Sequence, residues 1–215
     1  QIVDLNTTTL KALNASQIGA LDLADIPLLG SNKVTLLSKD QYQALNSAQI
    51  SQLTTAQLVS LGSTVIGQLK ANQLAGLSAA NINEFLMDAL PVWTGAQVAG
   101  LTTDQVNTLS TVATLALSSS AVAGLTTAQI VALNTAQVSS LNSAQVKALT
   151  AKQITAFETQ DLAELSIANF AVLNSAQSRA LTTSQIATLS TSALSSLSST
   201  ALAGLSSSQV VALST

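Results

Sequence analysis

Leucine recurs every eighth residue from Leu5 to Leu213, with no insertion or deletion breaking the count. Of the 27 slots in that frame, 24 hold Leu and the other three hold Phe85, Trp93 and Phe157. A second apolar position follows five residues after most slots, as at Ile18, Ile50, Ile66, Ile82 and Leu74. A fixed short period marks a repeat architecture, in which each unit stacks on its neighbours. With the leucine slot as position one, the apolar positions are one and six, and polar residues fill most of the space between.

The polar positions carry helix-start chemistry. Position two is Ser, Thr, Asn or Asp in 22 of 27 octads, the residue types favoured at helix N-caps. Position five is most often Gln, three residues further on. Thr126 with Gln129, Asn134 with Gln137, and Asn142 with Gln145 are representative pairs. This spacing is that of the capping box, in which cap side chain and Gln side chain each satisfy an orphan backbone N–H. Positions one and six stand in the relation of a hydrophobic staple. Position eight is usually small, as at Gly76, Ala132 and Gly204, which lets adjacent backbones approach.

Each octad therefore predicts one short capped helix of about six residues, far too short to persist alone. The fold class expected is all-α: a solenoid of about 27 eight-residue units, running as one continuous domain over residues 1–215. A single long helix fails, because successive leucine slots would drift about 80° apart around it. A β-solenoid is the rival reading, since many short-repeat rods are β. Its turns draw on Gly, Asn and Asp, whereas Gly is only nine of 215 residues here.

The pattern bends near residues 21–40 and 80–95. Pro27 and Pro91 both occupy position seven, and each should distort one helical unit, because a residue before Pro avoids the α region. Around the second, Phe85, Leu86, Met87 and Trp93 bring bulk apolar groups into the repeat. Two readings follow: local repacking around a kink, or an exposed apolar patch that docks a partner or another copy, anchored by Trp93. Asp22 and Asp25 read as an acidic cap pair. Octads with Ala113, Ala121, Ala193 and Ala201 at position five read as weaker copies.

Composition narrows the chemistry. Charged residues are 8% of the chain, against roughly 25% in ordinary soluble domains, and all 17 avoid positions one and six. That distribution suits a solvated outer face. Mean hydropathy is +0.45, yet no apolar run approaches the ~20 residues of a membrane-spanning helix. Net charge is −3, with seven scattered basic residues, so nucleic acid is not an expected partner. Cysteine and histidine are absent, which excludes disulfides, Cys–His and Ser–His–Asp nucleophilic sites, and the common zinc sets. Candidate carboxylates such as Glu158, Asp161 and Glu164 fall on different faces of one or two octads, so no acid–base pair is expected. No cofactor, metal or enzymatic activity is anticipated.

The tracts Leu125–Ala132 (LTTAQIVA) and Leu181–Thr188 (LTTSQIAT) resemble the Leu-Thr-Thr-Ala-Gln-Ile/Val octapeptide arrays of large exported or cell-surface, adhesin-like bacterial proteins. The resemblance covers nearly the whole chain and degrades at 21–40 and 80–95. It implies an extracellular or cell-surface structural context and supplies no catalytic residues.

The expected function is that of a structural protein of the bacterial cell exterior, a stiff rod that self-assembles into a filament or matrix fibre. With two or three octads per coil and helices 8–10 Å apart, such a rod would be roughly 70–130 Å long. Low charge favours association. The first and last octads look like internal ones, and solenoids without polar caps stack head to tail. Gln1 in place of Met suggests a processed chain or a segment of something longer. The alternatives are an adhesin stalk, or a solenoid that binds a peptide or a surface polysaccharide through its Gln, Ser and Thr ladder; the latter would require aromatics grouped on a solvent-facing side.

Overall fold

The computed structural model describes residues 4–85 and 90–213. Among these every regular element is helical and none is a strand, which overturns the β-solenoid. The chain divides into two compact units, Gln1–Thr108 and Leu109–Thr215.

The second unit is the more regular. Its helices run four to six residues, for example Thr135–Ser140, Ser143–Ala148 and Ala151–Ala156. Between two helices the chain turns on two extended residues. Leu141 ends one helix at φ −60°, ψ 133°, and Asn142 caps the next at φ −87°, ψ 166°. The corner is thus the Leu-cap dipeptide itself. Each helix packs on the one three octads away: Ser119–Gly124 on Ser143–Ala148, Ala151–Ala156 on Ser175–Ala180, Thr183–Thr188 on Ser207–Ala212. Three octads therefore close one coil, and the coils stack.

Stacking explains the two apolar positions. Val138, Val146, Ile154 and Leu162 at position six, and Leu141, Leu149 and Leu165 at position one, are all buried. Together they fill the inside of the coil, where each side chain contributes about 1.5–3 kcal/mol. It also explains the small residue at position eight. A Cβ on Gly204 would lie 2.5 Å from the Ser175 carbonyl oxygen, and Gly76 and Gly100 press on the backbone at Ser47 and Ala71 in the same way.

The first unit keeps the three-octad spacing, with Ala15–Gly19 on Lys39–Ala44 and Ala71–Leu74 on Gly95–Ala99, but interrupts it twice. Residues 23–29 form two 3₁₀ turns, Leu23–Asp25 and Pro27–Leu29. Ile26 before the proline stays helical at φ −59°, ψ −50°, against the sequence expectation. Pro27 opens the second turn, where a missing N–H costs nothing. Asp22 makes no side-chain cap bond, so the acidic cap pair does not form there. Pro91 sits in the 3₁₀ turn Leu90–Val92. At Gly30 and Gly62 the cap residue takes φ 70° and 68° with an extended ψ, a conformation open essentially to glycine alone. The segment Thr55–Ile66 is accordingly two helical turns joined across Gly62.

Candidate functional site

The most developed polar feature is a ladder of buried glutamines at position five. Gln137, Gln145, Gln153, Gln177 and Gln185 are 1–2% exposed, although Gln is ordinarily a surface residue. Each is held on one side by its own octad. In Ser143–Ala148 the Gln145 N–H donates to the Asn142 Oδ1 at 2.9 Å, and the Asn142 N–H donates to Gln145 Oε1 at 2.9 Å. Thr126 and Gln129 form the same reciprocal pair at 2.8 and 3.2 Å. Asn134 and Gln137 do so at 2.8 and 3.0 Å.

The other end of the side chain reaches the preceding coil. Gln145 Nε2 donates to the carbonyls of Thr114 and Leu117 at 2.9 and 2.8 Å. Gln153 reaches Val122 and Leu125, and Gln177 reaches Val146 and Leu149, at 2.7–2.9 Å. Gln137 donates to Leu109 at 2.7 Å. In the first unit Gln41, Gln73 and Gln105 make the same two contacts 28 and 31 residues back. The acceptors are the position-six carbonyl in the last turn of a helix and the carbonyl of the leucine that ends it. The position-six carbonyl also accepts the N–H of that leucine, as Thr114 does from Leu117 at 3.3 Å, whereas the leucine carbonyl lies past the helix end, where intrahelical partners run out. One glutamine therefore caps the start of its own helix and the end of another, and every polar atom of its amide is used.

A signal for this lies in the sequence. Glu serves a capping box as well as Gln, yet no position-five residue in the chain is Glu. A carboxylate could accept from the cap N–H but could not donate to two carbonyls.

Substitutions at position five show what the slot demands. Asn169 is one methylene shorter and reaches only Leu141, at 2.6 Å. Asp161 has no donor; it accepts from the Thr135 hydroxyl at 2.5 Å instead. It is 7% exposed, so it does not belong to the solvated outer face on which all the charges were expected. The slot points at the coil beneath. Ala113, Ala121, Ala193 and Ala201 keep only the cap hydroxyl bond, 3.1–3.2 Å from Ser110, Ser118, Ser190 and Ser198.

The apolar group singled out around Pro91 divides. Leu86 and Met87 lie outside the described residues, as does the side chain of Phe85, whose backbone closes the helix Ala79–Phe85. Trp93 is 1% exposed. Its ring fills a leucine slot and is not available to anchor an exposed patch. Tyr42, Phe157 and Phe170 are buried as well, so none of these rings offers a sugar a flat, solvent-facing platform.

Tyr42 titrates abnormally. Burial, and secondarily the negative charge of Asp40, hold its phenol above the ordinary value of 10.0. Its hydroxyl donates to Gln68 Oε1 at 2.8 Å. Among the described residues no group of three or more acidic side chains is placed to hold a metal ion. Nor is any helix among them long and apolar enough to cross a membrane.

A family model for the ALTTAQ repeat matches residues 130–157 and 154–191. The matched span is the stretch of the second unit in which position five carries Gln137, Gln145, Gln153, Asp161, Asn169, Gln177 and Gln185. No curated protein matches the chain.

Proposed function

We propose that this protein is a non-enzymatic structural element of the bacterial cell exterior, a stiff repeat array that self-associates into filaments or matrix fibres. The glutamine ladder carries the reading. In each unit the buried amides tie coil to coil through pairs of hydrogen bonds (Gln73 to Tyr42 and Leu45, Gln153 to Val122 and Leu125). Buried bonds of this kind resist separation along the stack, because pulling two coils apart leaves amides and carbonyls without partners in a dry interior. Both polar ends of these side chains are consumed in holding the array together. What remains outside is largely Ser, Thr and Ala, with scattered apolar side chains such as Val112, Val131 and Ile167 and few charges, a surface that repels another copy weakly.

Location at the cell exterior rests on the resemblance of the LTTAQ octads to exported arrays. Electron microscopy of the purified chain tests assembly: long uniform fibres are expected, and particles that stay isolated at high concentration overturn it. Labelling of intact cells with an antibody to the chain tests location; signal only after lysis overturns an exterior site.

A further inference from the structure

We propose that Asp161 and Glu158, with the carbonyl of Leu133, form a site for a hard divalent cation of the calcium class, seated between two coils in the middle of the second unit. The neighbouring octad shows the geometry. There the Ser143 hydroxyl donates to Asn169 Oδ1 at 3.1 Å, and Asn169 Nδ2 donates to the Leu141 carbonyl at 2.6 Å. Asp161 has the same shape as Asn, and its partners fall at the same separations. The Thr135 hydroxyl, 26 residues back, donates to Oδ1 at 2.5 Å, and Leu133 stands to Asp161 in sequence as Leu141 stands to Asn169. The second carboxylate oxygen of Asp161 therefore takes the place of the Asn169 nitrogen. Where the neighbour sets an N–H against a carbonyl, this octad sets two acceptors against each other. No donor among the described residues reaches the Leu133 carbonyl, whereas the Leu125 and Leu149 carbonyls each receive a glutamine amide. Asp161 is 7% exposed, and a carboxylate so far out of water needs a compensating charge.

The cap of the same octad is changed to match. Glu158 is the only Glu at position two; it is exposed and makes no side-chain cap bond. On a helix Glu158 and Asp161 would fall on different faces, but Glu158 lies outside Thr159–Ala163, as its cap. Cap and position-five side chains converge: their oxygens are 3.0 Å apart in Thr150 and Gln153, and 2.9 Å apart in Ser206 and Gln209. Two carboxylates thus share this rim, and neither has an ion pair among the described residues. Carboxylate and carbonyl oxygens are the ligands of Ca²⁺, which tolerates irregular geometry and completes its shell with water. Nitrogen and sulfur donors, which zinc prefers, are absent from the set. Two negative charges favour a divalent over a monovalent ion. Thr135 is a positioning residue, since its hydroxyl holds one carboxylate oxygen and turns the other towards Leu133.

Calorimetric titration and thermal melts of the full, chelator-treated chain with CaCl₂ test the site. A dissociation constant of about 10⁻⁴–10⁻³ M is expected for so few protein ligands, with melting raised by about 3–6 °C at roughly ten times that concentration. Asp161→Asn copies the neighbouring octad, so it should melt no lower than the metal-free parent and lose the response to Ca²⁺. Glu158→Gln, at an exposed side chain, should keep the fold and weaken binding about tenfold. A parent that shows neither heat nor a melting shift up to about 10 mM Ca²⁺ overturns the site; if Asp161→Asn then melts higher, water is the bridge between the two oxygens. An equal shift in NaCl of matched ionic strength is charge screening and overturns it too. So does either variant binding Ca²⁺ as tightly as the parent.

Discussion

The amide of Gln145 donates to the carbonyl of Leu117, 28 residues earlier, at 2.8 Å, and that carbonyl belongs to the residue that ends the helix Thr111–Ala116. The same side chain, through its oxygen, starts the helix Ser143–Ala148. Helices of six residues are not stable in water, and here the end of one and the start of another are finished by a single buried group. At Gln145 local capping and coil stacking thus meet in one side chain, the oxygen serving the first and the nitrogen the second.

Replacing Gln145 by Ala should therefore cost more than a helix cap. It removes one cap bond and both cross-coil bonds; the Thr114 carbonyl keeps the Leu117 N–H while the Leu117 carbonyl loses its amide donor, and about 2–3 kcal/mol is expected. Gln17→Ala removes the cap bond alone and should cost about 0.5–1 kcal/mol. Gln145→Glu keeps the acceptor but turns a carboxylate towards two carbonyls, so it should destabilise at least as much as Ala. Denaturant titrations of the three variants check the order; equal midpoints for Gln17→Ala and Gln145→Ala would remove the cross-coil contribution.

Gly62 gives the opposite sign to what capping chemistry suggests. Ser is a better N-cap than Gly, and space is open around the α-carbon, with no atom from beyond the adjoining residues within 4 Å of where a Cβ would lie. At φ 68°, ψ 169°, however, any side chain is strained by about 1–3 kcal/mol. Gly62→Ser should lower the melting temperature, while Lys70→Ser, at a cap with φ −72°, should raise it.

Ser178 occupies position six, where its neighbours are Phe170 and Ile186, and its hydroxyl is fully buried with no hydrogen-bond partner among the described residues. Ser178→Val should stabilise the second unit by about 1–2 kcal/mol, by burying apolar surface and removing an unsatisfied group. Thr114, also polar at position six, donates to the Ser110 carbonyl at 3.0 Å, so Thr114→Val should gain less. Thermal melts of the two variants side by side provide the comparison.

Tyr42 predicts a loss of stability in alkali. Its pKa is higher folded than unfolded, so the folded state holds the phenolic proton more tightly. The resulting stability is complete below the unfolded value near 10, and is lost as pH rises through the folded value. Tyr42 is the only tyrosine, so phenolate absorbance reports it without overlap. Its titration should lie above that of the denatured chain, and Tyr42→Phe should flatten the fall in stability over the same range.

Much of the local structure is readable in the octad. The pairs Thr126 with Gln129 and Asn142 with Gln145 sit three residues apart, and their reciprocal bonds form within one helical turn. The all-helical architecture follows from the same pairs. The destination of the glutamine amide does not, although the complete absence of Glu at position five points to a donor requirement. For Trp93 the sequence leaves both packing and docking open, because bulk at an apolar slot looks alike whether it is packed or exposed. Asp161 reads as an outer-face charge because a capping position looks solvent-facing when a single octad is considered alone.

What the chain alone determined was where each helix begins and which side chains are apolar, since caps and staples act within eight residues and need no distant partner. The tertiary structure decided that three octads make a coil, that Gln177 meets Leu149, and that Gly204 must lack a Cβ. Those outcomes depend on groups 24 to 31 residues apart, a separation at which every octad looks like every other and only packing tells them apart.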